Sequence, residues 1–191
     1  FSRNVGWITE DEARVLTAKR VAIAGMGGVG GHHLLTLARL GIGAFTIADF
    51  DVFEVENFNR QAGAMLSTVG REKAGVMREM ALDINPMLTV DVFAEGVDTR
   101  NVDRFLSGAD LYVDGLDAFA LDVRALVFAR CHALGIPAIT VAPIGMSAAL
   151  LTFVPGGMSF EEYFGLEGRD ELEQAARFAL GLSPAGLHRR Y

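Results

Sequence analysis

Short apolar runs alternate with stretches of helical spacing along most of the chain. Val21-Ala-Ile-Ala24, Phe45-Thr-Ile-Ala48, Val90-Asp-Val-Phe93, Leu111-Tyr-Val113, Ala138-Ile-Thr-Val141 and Ala149 to Val154 read as strands, several of them apolar throughout, as in sheets covered on both faces. Between them lie helical patterns. Thr9-Glu-Asp-Glu12 opens one with a capping box that runs to about Lys19, a second carries Leu34, Leu37, Ala38 and Leu40 up to Gly41, a third runs from near Arg71 to Asp83, and a fourth from Phe119 to Leu134. Strands alternating with helices predict an α/β fold, a Rossmann-like doubly wound, mostly parallel sheet with helices on both faces. The pattern divides into a nucleotide-binding domain over residues 1–157 and a more charged, helical C-terminal extension of unassigned role over residues 158–191.

Composition narrows the classes. The chain has 191 residues, 51% hydrophobic and 21% charged, enough for one globular domain. The net charge of -7 argues against a nucleic-acid surface, though not against a nucleotide, which needs only a few local cations. One cysteine and an N-terminus without a basic-then-apolar leader suit a reducing compartment, the cytoplasm. The start at Phe1, without Met, suits a piece of a longer protein. Cys131 to Phe160 has no Asp, Glu, Lys or Arg, but Pro137, Pro143 and Pro155 interrupt it, so it reads as two buried strands joined by a loop rather than a membrane span.

Gly25, Gly27 and Gly30 form G-x-G-x-x-G, with Gly28 inside it, between a strand and a helix. There the glycines permit a tight turn and let backbone N–H groups approach a phosphate. Asp49 ends the second strand, about 20 residues on, where a carboxylate accepts from ribose hydroxyls. An NAD-binding domain has the same features, and so does a tight turn with no ligand. His32 and His33 are adjacent on a helix, point about 100° apart and cannot share a metal.

More specific motifs follow: Asp49-Phe-Asp51, Asn57-Phe-Asn-Arg60-Gln61, Val69-Gly-Arg-Glu-Lys73, Ile84-Asn-Pro86 and Asp114-Gly-Leu-Asp117. In order and spacing they resemble the ThiF/MoeB family of adenylyltransferases, relatives of the ubiquitin-activating enzymes, over roughly residues 1–155. The resemblance implies that Asp49 binds the ATP ribose, that Asn57, Arg60 and Lys73 contact the phosphates, that Asp117 holds Mg²⁺, and that Asp51 and Gln61 belong to the same site. Arg3 resembles an N-terminal arginine that reaches the ATP of a neighbouring subunit, which implies a homodimer. The uncharged stretch around Ala142 to Leu151 and a mean hydropathy of +0.30 point the same way. Taken singly, Arg60 and Lys73 could be solvated charges, Asp114 and Asp117 turn residues, and Asp51 a loop cap.

The implied activity is ATP-dependent activation of a carboxylate as an acyl-adenylate, with pyrophosphate released. The acceptor could be the C-terminus of a small ubiquitin-like or sulfur-carrier protein. A tRNA threonylcarbamoyladenosine dehydratase-like enzyme, an NAD-binding oxidoreductase or sensor, and a partner-binding pseudoenzyme are the alternatives. The chain departs from many family members in lacking C-x-x-C pairs and any cysteine past Cys131, which reads as a packing residue.

Overall fold

The structure is a computed structural model, and it describes residues 4–183. Six strands form one sheet in the order β3-β2-β1-β4-β5-β6. The strands are β1 (Arg20–Ala24), β2 (Ala44–Ala48), β3 (Thr89–Phe93), β4 (Leu111–Asp114), β5 (Ala138–Ile144) and β6 (Ser147–Phe153). The first five run parallel and β6 returns antiparallel to β5. The helices are α1 (Glu10–Thr17), α2 (Gly30–Leu40), α3 (Lys73–Ile84), α4 (Val102–Phe105), α5 (Leu121–Leu134), α6 (Phe160–Phe164) and α7 (Glu171–Leu182). This is the doubly wound α/β arrangement that the alternating pattern predicts.

Strand alternation divides the interior into two cores. Val21 and Ile23 of β1 face one side, with Phe45 and Ile47 of β2, Leu34 and Ala38 of α2, and Val76 and Met77 of α3. Ala22 and Ala24 face the other, with Tyr112, Phe105 of α4, and Val127 and Phe128 of α5. Aromatic rings link this second core into a chain. Phe93 meets Phe105 edge-on, Phe105 meets Tyr112, and Tyr112 meets Phe128, at centroid distances of 5.6, 6.4 and 5.4 Å. Such pairs are worth about 0.5–1.5 kcal/mol each beyond their buried area.

Local signals set the helix boundaries. Glu12 Oε2 accepts from the Thr9 N–H at 2.7 Å and the Thr9 hydroxyl oxygen accepts from the Glu12 N–H at 3.2 Å, so the capping box of α1 is complete. Gly41 closes α2 at φ +107°, a conformation open to glycine. α3 begins at Lys73 rather than Arg71, because Phe53 donates to the Arg71 carbonyl and Gly70 to that of Phe53. That pairing holds residues 69–71 against the loop that follows Asp51, in a turn with Gly70 at φ +80°. α5 begins at Leu121 rather than Phe119, because Asp117 closes a turn over Phe119 and Ala120. α4, a single turn, has too short a period to read from sequence.

The uncharged stretch folds as a hairpin whose turn is Gly145-Met146, between the paired Ile144 and Ser147. Its second strand is not buried as expected. β6 pairs on one side only, and Met146 and Leu150 are exposed. Among the described residues no helix is long and apolar enough to cross a membrane. The described part of the C-terminal segment carries two helices, α6 and α7. Its α6 is capped by Ser159, whose hydroxyl oxygen accepts from the Glu162 N–H. Phe160, Phe164 and Phe178 pack with Phe128 of the second core.

Candidate functional site

β1 runs into the glycine loop at the carboxyl edge of the sheet, where β4 diverges to the other side of β1 from β2. Open α/β sheets bind ligands in the crevice at that reversal. Gly25 has φ +86°, and a Cβ there would lie 2.2 Å from the Gly115 carbonyl oxygen. A Cβ on Gly30 would lie 1.8 Å from the Gly25 carbonyl oxygen. A Cβ on Gly115 would lie 2.6 Å from the Gly30 Cα. Three backbones therefore touch where no side chain fits. Gly30 serves this packing and does not line the crevice, whereas Gly25, Gly27, Gly28 and Val29 do. Gly115 was not singled out from sequence, because what excludes its side chain is Gly30, far away along the chain.

Asp49 closes the loop from the β2 side. Its Oδ2 accepts from the Met26 N–H at 2.7 Å and its Oδ1 from the Asp51 N–H at 2.8 Å. Burial raises the Asp49 pKa above the ordinary aspartate value, and those two backbone bonds and the Lys73 charge partly oppose the rise. Lys73 stands on the first turn of α3, 6% exposed, with Nζ 3.0 Å from Asp51 Oδ2. Arg60 is exposed at the rim, its Nη1 donating to the Glu56 carbonyl at 3.3 Å and to Asn59 Oδ1 at 3.1 Å. Gln61 is buried beside Gly27, and its Oε1 has no hydrogen-bond partner among the described residues.

Asn57 is placed differently from the other motif residues. Its Oδ1 accepts from the Glu54 N–H at 3.0 Å, within the 3₁₀ turn Val55–Asn57, and it does not line the crevice. An asparagine side chain competes for nearby backbone groups, and here that local bond holds it. Arg3 lies outside the described residues.

On the β4 side Asp114 and Asp117 part company. Asp114 is 3% exposed, and its Oδ2 accepts from Arg124 Nε at 2.7 Å and from the Thr140 hydroxyl at 2.8 Å. It lines the crevice, yet its carboxylate is bound as an internal anchor. Asp117 is exposed and lines the crevice, its Oδ1 accepting from the Phe119 N–H at 3.4 Å. Arg124, absent from the sequence-derived candidates, also lines it while being 3% exposed. A lone arginine on a helix reads as a surface charge until Asp114 is known to face it.

The crevice is one cavity of about 700 Å³. Gly25, Gly27, Gly28, Asp49, Asp51, Arg60, Gln61, Lys73 and Asp117 all line it. Val97, Leu116, Phe119 and Val123, with Ala175, Phe178 and Ala179 of α7, give it an apolar side. A phosphate-sized group at the glycine loop would meet backbone N–H groups at the start of α2, the buried Lys73 and, at the rim, Arg60. Across the sheet edge, Cys131 is buried in α5 and burial pushes its thiol up to about 12, so it is neither ionised nor exposed.

Comparison with known proteins agrees with this arrangement. The tRNA threonylcarbamoyladenosine dehydratase of Haemophilus influenzae is 35% identical over 138 residues, 72% of this chain and 52% of that protein. The SAMP-activating enzyme E1 of Haloferax volcanii is 32% identical over 155 residues, 81% of this chain and 56% of that protein. The chain thus spans about half the length of these curated relatives. Among solved structures, the E. coli tRNA N6-threonylcarbamoyladenosine dehydratase in complex with ATP superposes with a TM-score of 0.72 at 32% identity, over 77% of this chain and 60% of that one. The E. coli MccB structure with ATP, at 22% identity and a TM-score of 0.67, shares the fold. The ThiF family itself matches residues 1–185, through the parallel sheet and on into the C-terminal helices, and the chain belongs to that family.

Proposed function

We propose that this chain binds ATP in the crevice and uses it to adenylate a carboxylate. The observation that carries the reading is that the glycine loop and Asp49 share one cavity with Arg60, Lys73 and Asp117. An NAD site needs the first two features and has no evident use for the rest. The acceptor carboxylate oxygen forms a bond to the α-phosphorus, the α–β phosphoryl bond breaks, and pyrophosphate leaves. Charge grows on the phosphoryl oxygens and on the leaving group. Lys73, already fixed by Asp51, and Arg60 at the rim supply cations preorganised for that charge. Asp49 orients the ribose, and Gly27 and Gly28 let the phosphates approach the backbone.

A Mg²⁺ ion fits the residues present. Among the described residues no cluster of three or more ligating side chains occurs, and Mg²⁺ on a nucleotide typically takes one or two carboxylates with phosphate oxygens and water. Asp117 is such a carboxylate, with Oδ2 making no hydrogen bond among the described residues. When bound, the ion would neutralise phosphate charge.

The acceptor belongs to one of two classes. A relative named as a SAMP-activating enzyme E1 supports a protein C-terminus, and relatives named for tRNA threonylcarbamoyladenosine support a carboxylate on a modified base. The net charge of -7 favours the first. We also propose a homodimer, supported by Met146 and Leu150 exposed along the unpaired edge at β6.

Calorimetry with Mg-ATP and with NAD tests the nucleotide, and tighter NAD binding would sink the adenylation reading. ATP–pyrophosphate exchange with candidate carrier proteins and with modified tRNA tests the acceptor. Light scattering at micromolar concentration tests the dimer.

A further inference from the structure

Arg124 reaches from the first turn of α5 to several elements at once. Nε donates to Asp114 Oδ2 at 2.7 Å, at the end of β4. Nη2 donates to two carbonyls of the loop that follows, Leu116 at 2.8 Å and Asp117 at 3.0 Å. The guanidinium carbon lies 4.8 Å from the centroid of Phe178 on α7. Nη1 is buried with no hydrogen-bond partner among the described residues.

A buried pair that only stabilised a fold would not need this layout, since well-packed apolar residues do as well or better. The two carbonyl bonds have a different consequence. They hold the backbone on either side of the Asp117 Cα step, and so they set the direction in which the Asp117 carboxylate enters the cavity. A lysine could keep the charge facing Asp114 but could not also span both carbonyls, because its ammonium is a single point rather than a planar fork. Phe178 covers the open face of the guanidinium and lines the same cavity. The ring attracts the cation and screens it from water, which strengthens its remaining bonds.

We infer that Arg124 is a positioning residue that acts through Asp117, and that α7 belongs to the nucleotide site by way of the Phe178 ring over Arg124. The functional half rests on the proposal that Asp117 serves Mg-ATP.

The test uses the full chain with Arg124→Lys and Phe178→Leu. Amide hydrogen exchange in the ligand-free chain reads the loop without any nucleotide. Exchange at residues 115–119 should rise about tenfold in Arg124→Lys, and in the same direction in Phe178→Leu, with β1 and α2 unchanged. Calorimetric titration with ATP at varied Mg²⁺ reads the consequence. The Mg²⁺ concentration giving half the full ATP affinity should rise about tenfold, with affinity at saturating Mg²⁺ within about twofold of the parent chain. Unaltered exchange at residues 115–119 in both variants overturns the inference. So does protection lost evenly across the sheet, which would mark Arg124 as a fold element alone. If the parent chain binds no Mg-ATP, the adenylation proposal falls, and the ligand-free exchange still decides whether Arg124 and Phe178 hold the loop.

Discussion

Lys73 is tied to Asp51 twice: its backbone N–H donates to the Asp51 carbonyl at 2.9 Å and its Nζ lies 3.0 Å from Asp51 Oδ2. The first bond fixes where α3 starts and the second fixes the side chain. Lys73 is buried while the Asp51 side chain is half exposed, so the two partners are unequal.

That inequality predicts an asymmetric result. Asp51→Ala leaves a buried ammonium unpaired and should cost about 1–3 kcal/mol of stability. Lys73→Ala leaves an aspartate that water can reach and should cost less. Urea unfolding of both variants measures the difference, and equal costs would contradict the burial argument.

Arg60→Ala, Lys73→Ala and Asp117→Ala should each lower pyrophosphate exchange about 100-fold or more while the circular dichroism spectrum stays native. The assay uses whichever acceptor supports exchange in the parent chain. Near-normal exchange by Lys73→Ala would remove it from the reaction.

Asp114 should behave as a structural anchor. Asp114→Ala strands the Arg124 charge inside the protein and should destabilise it by about 3–5 kcal/mol. Replacing both partners, Asp114→Leu with Arg124→Met, should restore much of that loss. Thermal denaturation of the single and double variants checks this, and a double variant worse than Asp114→Ala refutes it.

The raised pKa of Asp49 gives adenosine binding a pH dependence. A raised carboxyl takes up its proton at a higher pH than an ordinary aspartate, and the neutral acid is a poorer acceptor for ribose hydroxyls. Affinity should therefore be full at neutral pH and decline on acidification sooner than an unperturbed carboxylate would allow. The sign for stability is opposite: the folded chain holds this proton more tightly than the unfolded one, so protonation of Asp49 favours folding as pH falls through the folded pKa. Adenosine carries no titrating phosphate, so the difference between the parent chain and Asp49→Asn, read by calorimetry between neutral and mildly acidic pH, reports Asp49 apart from the histidines. A flat difference would show that the Asp49 carboxylate does not matter.

Cys131, with its thiol pushed up to about 12, should not react with Ellman's reagent in the native chain. Cys131→Ala should leave adenylation intact with a packing cost of about 1 kcal/mol. A substrate adduct on Cys131, found by mass spectrometry and reversed by thiols, would overturn this.

The parts legible in the sequence were those written locally. The strand–glycine–helix signal, Asp49 at its strand end and the Thr9 capping box each depend on neighbours within a few residues, and each stands where expected. The parts that were not legible depend on distant groups. Arg124 becomes an internal cation only because Asp114 of β4, itself held by the Thr140 hydroxyl of β5, meets it. Asn57 sits among the motif residues in sequence, yet its own backbone turn holds its side chain oxygen. The edge character of β6 follows from strand order, which hydrophobic pattern alone does not give.

The backbone contact among Gly25, Gly30 and Gly115 bears on timing. No rotamers separate the loop after β1 from the loop after β4 there, so a ligand arriving at that junction has no side chain to displace and little motion to freeze. Docking of phosphate groups should follow a single exponential in stopped-flow, at a rate set by encounter. Slower steps in a turnover then fall to the opposite wall, where exposed Phe119 and the side chains of α7 can still change rotamer.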